Sequence, residues 1–330
     1  MANLRAGLVG LGMMGRHHAR VMASLPGVDF VGVCDPAGDS GGVAQGRPVV
    51  KTVTELIAMG IDYAMVAVPT IYHLEIGLEL AAANVHAMVE KPLSQDVATS
   101  KQLTLAFEKA SLVGAVGHIE RYNPSLQEAR RRLTQLGALY QVVTRRQGPF
   151  PARIADVGVV KDLATHDIDL TAWITGQPYA SVSARTALRT GREHEDLVAF
   201  VGTLRDGTIT SHLINWLSPL KERVTILTGE KGAFVADTLT ADLTFYANGT
   251  VSSGWDEIAM FRGVSEGDVI RYAIPKHEPL RMEHENFRDA VLGKESDIVT
   301  MQQGLATVVV AEAIIESANS NSTVLISDAE

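Results

Sequence analysis

Residues 7–15 read GLVGLGMMG, and the fold turns on what those glycines are for. The apolar run RAGLVG leading into them has strand character, and RHHARVMASL after them has helical periodicity. Gly10-x-Gly12-x-x-Gly15 therefore lies between a strand and a helix. There, Gly10 permits a tight turn, Gly12 lets backbone approach a pyrophosphate, and Gly15 allows close helix–strand packing. The helix start, with Met13 and Met14 in its first turn, offers N–H groups and a partial positive charge to phosphates. Three glycines alone are a weak signal; Asp35, twenty residues after Gly15 at the end of a second strand DFVGVC, strengthens it. A carboxylate there accepts hydrogen bonds from the adenosine ribose hydroxyls. It would repel a 2′-phosphate, and PAGDSGG after it holds no basic residue before Arg47, so NAD is favoured over NADP.

Outward from that loop the rhythm continues. PVVKT is a weak third strand before the helical VTELIAMG. DYAMVAVP, HAMVE and LVGAVGHI are three more strands, separated by the helical LEIGLELAAAN and TSKQLTLAFEKAS. Val, Ala and Ile runs without polar alternation suit strands buried on both faces, hence a parallel sheet covered by helices. The alternation predicts an α/β protein whose residues 1–121 form a doubly wound Rossmann domain. Near Asn123 the pattern changes. NPSLQEARRRLTQLG has Asn as a helix cap, Pro at the first helical position and Gly after the last turn. LVAFVGTL-RDG-TITSHLINW, VTILTG-EKG-AFVAD and LTFYA-NG-TVSS read as hairpins, the last on a strong Asn248-Gly249 turn. MEHENFRDAVLG and MQQGLATVVVAEAIIESA are helical, and TVLIS is a short last strand. Residues 122–330 are thus expected to form a second α/β domain with a large, open, mainly antiparallel sheet.

Bulk composition limits the function classes. The chain has 330 residues, enough for two cores. A formal net charge of −9 argues against nucleic acid or an anionic membrane as the main partner, but not against a small anion in a local basic pocket. No apolar run of about eighteen residues is present, so no transmembrane helix is expected, and the start lacks the order of a signal peptide. Cys34 is the single cysteine, which excludes an intrachain disulfide and a thiolate zinc site and fits a reducing cytoplasm.

Two stretches concentrate titratable groups. Glu90, Lys91 and Pro92 follow the fifth predicted strand, at the sheet edge where open α/β folds bind ligands. Lys91 there could reach a cofactor ribose and a substrate oxygen; a solvated loop lysine is the plain alternative. KDLATHDID, residues 161–169, would put Asp162, His166 and Asp169 on one face of a helix. A carboxylate one turn from an imidazole is a surface ion pair, half a metal site or an acid/base pair. A metal would need a further ligand, and no motif such as HExxH accompanies the pair, so none is expected.

Taken in order and spacing, GLVGLGMMGRHH, VPTIYH, EKPL and KDLATH resemble the Gfo/Idh/MocA family of oxidoreductases over essentially the whole chain. The resemblance implies a Rossmann domain followed by an α/β domain whose open sheet carries a dimer interface and partly lines the substrate pocket, hence a homodimer or homotetramer. It implies that Lys91, Asp162 and His166 converge beside the nicotinamide, with Lys91–Pro92 often cis. It also places Pro69, Thr70, His73 and Glu90 at the cofactor. On that basis His166 is expected as general base, Asp162 as its orienter or a ligand of a neighbouring hydroxyl, and Lys91 as hydrogen-bond donor to the reacting oxygen. Exchanged roles for Lys91 and His166 remain open.

GHIERYNP and DVGVVKDLATHDIDL are most similar to the branch that oxidises the 3-hydroxyl of UDP-N-acetylglucosamine or its uronic acid. Glu120, Arg121, Tyr122 and Asn123 then become substrate-side residues. Arg121, Arg145, Arg146 and Arg153 are possible donors to a pyrophosphate, although solvated surface is the ordinary place for any one of them. Lys161, just before Asp162, is a candidate pocket residue without an assigned role. An inositol or free-sugar dehydrogenase of the same family is the alternative enzyme. A non-catalytic NAD-binding sensor is the alternative class, which the intact Lys91, Asp162 and His166 set argues against.

Overall fold

The computed structural model describes residues 3–150, 157–249 and 266–327; Arg153 and the predicted strand TVSS lie outside them. The chain divides into two compact units, one of residues 1–119 and 278–312, the other of residues 120–277 and 313–328. The expected division at 121/122 assigns 278–312 to the second domain; in the structure that segment packs in the first unit.

The first unit begins β1 (Leu4–Val9), α1 (Met13–Met22), β2 (Val28–Cys34), β3 (Val49–Val50), α2 (Val53–Ala58) and β4 (Tyr63–Val66). It continues α3 (His73–Ala82), β5 (His86–Glu90), α4 (Val97–Lys109) and β6 (Gly114–Gly117). The strands order β3-β2-β1-β4-β5-β6 and every pairing is parallel. All four β4 residues are buried, as are four of the five in β5, which is why these segments carry no polar alternation. Local chemistry sets the helix starts: Thr52 and Glu55 form a capping box on α2, and Asp96 and Thr99 form one on α4.

The second unit holds α5 (Pro124–Arg131), β7 (Leu139–Pro149), α6 (Thr165–Thr175), β8 (Tyr179–Ala187), β9 (Leu197–Leu204) and β10 (Ile209–Asn215). Then come β11 (Leu217–Gly229), β12 (Gly232–Asp237), β13 (Asp242–Asn248) and β14 (Glu266–Arg271). After α7 (Pro279–Val291) and α8 (Met301–Ser320), β15 (Val324–Leu325) completes the sheet. Its order is β14-β13-β12-β11-β7-β10-β9-β8-β15, antiparallel except for β7 with β10. β13 pairs with β12 on one side and β14 on the other. Leu126, Leu170, Trp173, Val142, Leu227 and Phe234 form a core between α5, α6 and one sheet face. On the other face Val143, Val201, Ile226 and Val235 remain half-buried or exposed.

Within the first unit, α7 buries Phe287 edge-on against Tyr63, with ring centroids 5.4 Å apart. Val116 donates its backbone N–H to Val299 at 2.9 Å, and Ala115 bridges to Thr300, so this returning segment also covers the β6 edge. Among the described residues no helix is long and apolar enough to cross a membrane.

Candidate active site

The register of the first sheet decides what stands together. Val9 pairs with Val66 and Val66 with Val89, so β1, β4 and β5 end side by side. Gly10, Pro69 and Lys91 therefore emerge on one edge, at about 5 Å per strand step. Gly10 has φ +97°, and a Cβ there would overlap the carbonyl oxygen of Ala67. A Cβ on Gly15 would overlap the carbonyl oxygen of Gly10, whereas one on Gly12 would meet nothing within 4 Å. Two of the glycines serve close packing; the third leaves open the space a pyrophosphate needs. The α1 start has no side-chain cap and no acidic residue in its first turn, so Met13, Met14 and Gly15 present backbone donors to that space.

Asp35 lies just past β2. Its Oδ2 accepts the Leu11 N–H at 2.7 Å and its Oδ1 the Ala37 N–H at 2.8 Å, which hold the carboxylate against the glycine turn. These residues fit a dinucleotide. Linear sequence did not reveal Lys51, whose Nζ donates to the Pro36 carbonyl at 2.8 Å and so places a cation at the turn after Asp35.

At the β5 exit the Lys91–Pro92 peptide is cis and Lys91 is partly exposed. Two neighbours that the resemblance places at the cofactor turn their side chains inward. His73 is 1% exposed; its Nδ1 lies 3.0 Å from the Pro92 carbonyl and its Nε2 3.0 Å from the Val68 carbonyl. It ties the β4 and β5 exit loops together, and burial pushes its imidazole below the ordinary range against the pull of those carbonyls. Glu90 is also buried, with Oε1 accepting from His18 Nε2 at 2.9 Å and Oε2 accepting the Lys91 N–H at 3.1 Å. Pro69 and Thr70 stay at the surface of the edge, beside the exposed Ile71 and Tyr72.

In the second unit the expected single helix face is broken. Val160–Ala164 forms a π-helical turn before α6 begins, a device common near functional sites. Asp162 and His166 remain partly exposed, but Asp169 is 2% exposed and accepts two bonds from Arg121, at 2.7 and 2.5 Å. Of the residues expected on the substrate side, three are held by partners within the second unit or are buried there. Arg121 is a buried ion-pair partner and Tyr122 is 5% exposed. Asn123 caps α5 by accepting the Ser125 N–H at 3.1 Å while its amide donates to the Thr238 carbonyl at 3.0 Å.

Arg146 is likewise internal, donating to Asp167 at 2.6 Å and to Glu120 at 2.9 Å. Despite burial, those two carboxylates hold it above the usual guanidinium range, while burial raises Asp167 against the pull of Arg146. Arg145 pairs with Glu222 on the opposite face. Sequence reading missed Arg223, which faces Arg146 directly across the β7–β11 ladder. Its Nη1 donates to the Gln147 and Glu222 carbonyls, each at 3.2 Å. Burial and then the charge of Arg146 lower it to about 10, against the fields of Glu120, Asp167 and Asp162. Arg223 is thus a half-buried cation near Asp162; a run of alternating β11 residues gave no sign of it. Among the described residues no group of three or more His, Cys, Asp or Glu is arranged to hold a metal.

Comparison with known proteins adds the following. Residues 4–118 match the Gfo/Idh/MocA oxidoreductase family's NAD-binding Rossmann fold, and residues 151–326 match that family's C-terminal alpha/beta domain. UDP-N-acetylglucosamine 3-dehydrogenase of Acidithiobacillus ferrooxidans is 29% identical over 213 residues, 64% of this chain and 66% of that protein. The NAD(+) scyllo-inositol 2-dehydrogenase of Bacillus subtilis is 30% identical over 192 residues, 54% of this chain and 56% of that one. The chain thus aligns with less than two thirds of the length of either relative. The solved structure of the Acidithiobacillus ferrooxidans 3-dehydrogenase GnnA superposes with a TM-score of 0.84 at 25% identity, covering 97% of this chain and 99% of that one.

Proposed function

Because the chain belongs to the Gfo/Idh/MocA oxidoreductase family, we propose that it is an NAD-dependent dehydrogenase of a sugar secondary hydroxyl, specifically the 3-hydroxyl of a UDP-N-acetylhexosamine. The observation that carries this is the shared edge of β1, β4 and β5, where Lys91 emerges beside a glycine turn shaped for a pyrophosphate. Similarity to a UDP-N-acetylglucosamine 3-dehydrogenase supports the choice of sugar.

When bound, the dinucleotide supplies the hydride acceptor. Gly10, Gly12, Met13, Met14 and Gly15 would hold its phosphates, and Asp35 its adenosine ribose. Lys91 donates a hydrogen bond to the reacting oxygen and stabilises the negative charge that grows there. His166 takes the hydroxyl proton, a role an imidazole suits near neutral pH, and Asp162 orients it or binds a neighbouring hydroxyl. Arg223 is a further candidate cation for an anionic substrate. Asp35 favours NAD; Lys51 at the same turn makes NADP the cofactor to compare directly. In this reading the protein is cytoplasmic, and the open sheet face of the second unit meets a second copy in a homodimer or homotetramer.

Likeness to a scyllo-inositol 2-dehydrogenase favours a second reading, inositol oxidation. An NADH-absorbance screen of UDP-sugars, inositols and free aldoses separates the two, run with NAD and NADP. UDP-N-acetylglucosamine is the expected preferred substrate. Lys91→Ala and His166→Ala should each lose about 100-fold or more in kcat with NAD affinity retained. Full turnover in both variants removes the mechanism, and preference for an inositol moves the enzyme to the second reading.

A further inference from the structure

One cluster of titratable groups in the first unit has no part in the chemistry above. His18 on α1 and His284 on α7 are both 0% exposed. His18 Nδ1 lies 2.8 Å from His284 Nε2, and the rings meet edge-on with centroids 5.1 Å apart. His18 Nε2 is 2.9 Å from Glu90 Oε1, and Glu90 Oε2 accepts the Lys91 N–H at 3.1 Å. A continuous line of hydrogen bonds therefore runs from a helix near the C-terminus, through α1, to the peptide of Lys91.

Protonation makes the line directional. A carboxylate only accepts, so His18 Nε2 carries the proton donated to Glu90. One further proton occupies the bond between the two rings. Burial, and then the neighbouring charge of His18, push His284 well below the ordinary imidazole range. Burial alone would raise Glu90, but the His18 bond, the charges of His18 and Lys91, and the Lys91 N–H together hold it below the usual carboxylate range. Glu283, next to His284, is 1% exposed with neither oxygen hydrogen-bonded. Burial and the charge of Glu90 push it well above the ordinary carboxylate range. Glu90 is thus gripped by an imidazole on one side and by the Lys91 peptide on the other.

We infer that His284 is a positioning residue for Lys91: it fixes the His18 ring, which fixes the Glu90 carboxylate, which fixes the peptide from which the Lys91 side chain departs. This rests on the reading of Lys91 as the residue that meets the substrate oxygen. The argument is one of leverage. Lys91 leaves β5 at the edge, and a side chain of four methylenes amplifies any rotation of its own peptide. Downstream, His73 pins the Pro92 carbonyl; upstream, Glu90 accepts the Lys91 N–H and ties that peptide to the His18–His284 line. Without His284, the inward nitrogen of His18 loses its partner, and the ring can turn away from Glu90.

The test compares His284→Leu, which removes the link, with His284→Gln, whose amide can replace the Nε2 contact. Glu283→Gln serves as an equally buried control outside the line. With UDP-N-acetylglucosamine and NAD, His284→Leu should lower kcat about tenfold or more, with NAD affinity and the sugar KM nearly unchanged. His284→Gln should recover most of that loss, and Glu283→Gln should show none. In a Lys91→Ala background, His284→Leu should add no further loss, since both act through one side chain.

An activity-independent readout is the labelling rate of Lys91 by trinitrobenzenesulfonate, followed by mass spectrometry with Lys51 and Lys101 as internal references. His284→Leu should change the Lys91 rate alone, and His284→Gln should restore it. Unchanged Lys91 labelling in His284→Leu, or equal losses in the Leu and Gln variants, overturns the inference. Full turnover in Lys91→Ala with altered labelling in His284→Leu would instead sink the reading of Lys91 and leave the positioning line standing.

Discussion

In the first unit buried polar groups form a line, Glu90 to His18 to His284. In the second they form crossed ion pairs, Arg121 with Asp169 and Arg146 with both Asp167 and Glu120. The first arrangement joins one carboxylate to two imidazoles in series. The second takes full charges of both signs out of water, and each is tolerable only while its partner is in place. The contrast also tracks the work each unit does. The Rossmann unit builds its ligand edge from backbone, with glycines and strand ends, and needs few buried charges. The sheet unit anchors α5 and α6 through long-range guanidinium–carboxylate contacts.

The sharpest way to break this comparison is to unpair one charge in the second unit. Asp169→Asn leaves the Arg121 guanidinium buried, with 5% of its side chain accessible, and should destabilise the second unit by about 3–5 kcal/mol. Arg121→Met combined with Asp169→Leu should cost much less, because no charge is left alone. Urea unfolding followed by tryptophan emission reads this unit selectively, since Trp173, Trp216 and Trp255 all fall within residues 120–277. Arg121 lies over Trp173 at 5.9 Å, which makes that signal direct. An Asp169→Asn midpoint within experimental error of wild type would show that the pair carries no such weight.

A smaller effect should appear with pH. His212 in the second unit is 2% exposed, stacks on Phe200 with centroids 4.2 Å apart, and lies 2.7 Å from Thr144 Oγ1. Burial lowers its imidazole to about 3. Its folded-state value is below the unfolded one, so its contribution is complete above the ordinary range of about 6.5 and is lost as pH falls toward 3. By pH 4 that loss should approach ~3 kcal/mol as an upper bound, since the unfolded chain takes a proton the folded chain refuses. His212→Gln should flatten the acid limb of the tryptophan-monitored stability curve between pH 7 and 4. An unchanged limb would assign the acid loss to other groups.

The same contrast explains what the sequence makes legible. Gly10, Gly12, Gly15 and Asp35 could be found because a turn, a close approach and a strand end are demands on local backbone, met by residue types at fixed spacing. The β-α alternation was readable because both-face burial suppresses polar residues along a strand. Side-chain direction was not. Glu90 and His73 occupy the expected loops, yet they point inward to partners on other elements. Asp169 stands in the right stretch, but Arg121, 48 positions away, claims its carboxylate, and a π-helical turn shifts the helix face. Lys51 and Arg223 gave no local signal, because each gains its meaning from a neighbouring strand or turn. The return of residues 278–312 to the first unit is of the same kind: periodicity announces a helix but not the sheet it covers.

The smallest effect sets a scale for that difference. Asn123 was identifiable as a cap from Asn-Pro alone, and in the structure it accepts from Ser125 N–H while its amide reaches the Thr238 carbonyl. Asn123→Ala removes the cap and that contact, and should cost about 1 kcal/mol in the same tryptophan-monitored unfolding. Asn123→Asp keeps the acceptor but loses the amide donor, so it should recover the capping part and not the Thr238 part. If Asn123→Ala instead cost as much as Asp169→Asn, a contact set by adjacent residues would hold the second unit as firmly as one spanning 48 positions, and the contrast between locally and remotely determined anchoring would fail. An Asp variant that behaved like wild type would sharpen it, by assigning the whole effect of Asn123 to the first turn of α5.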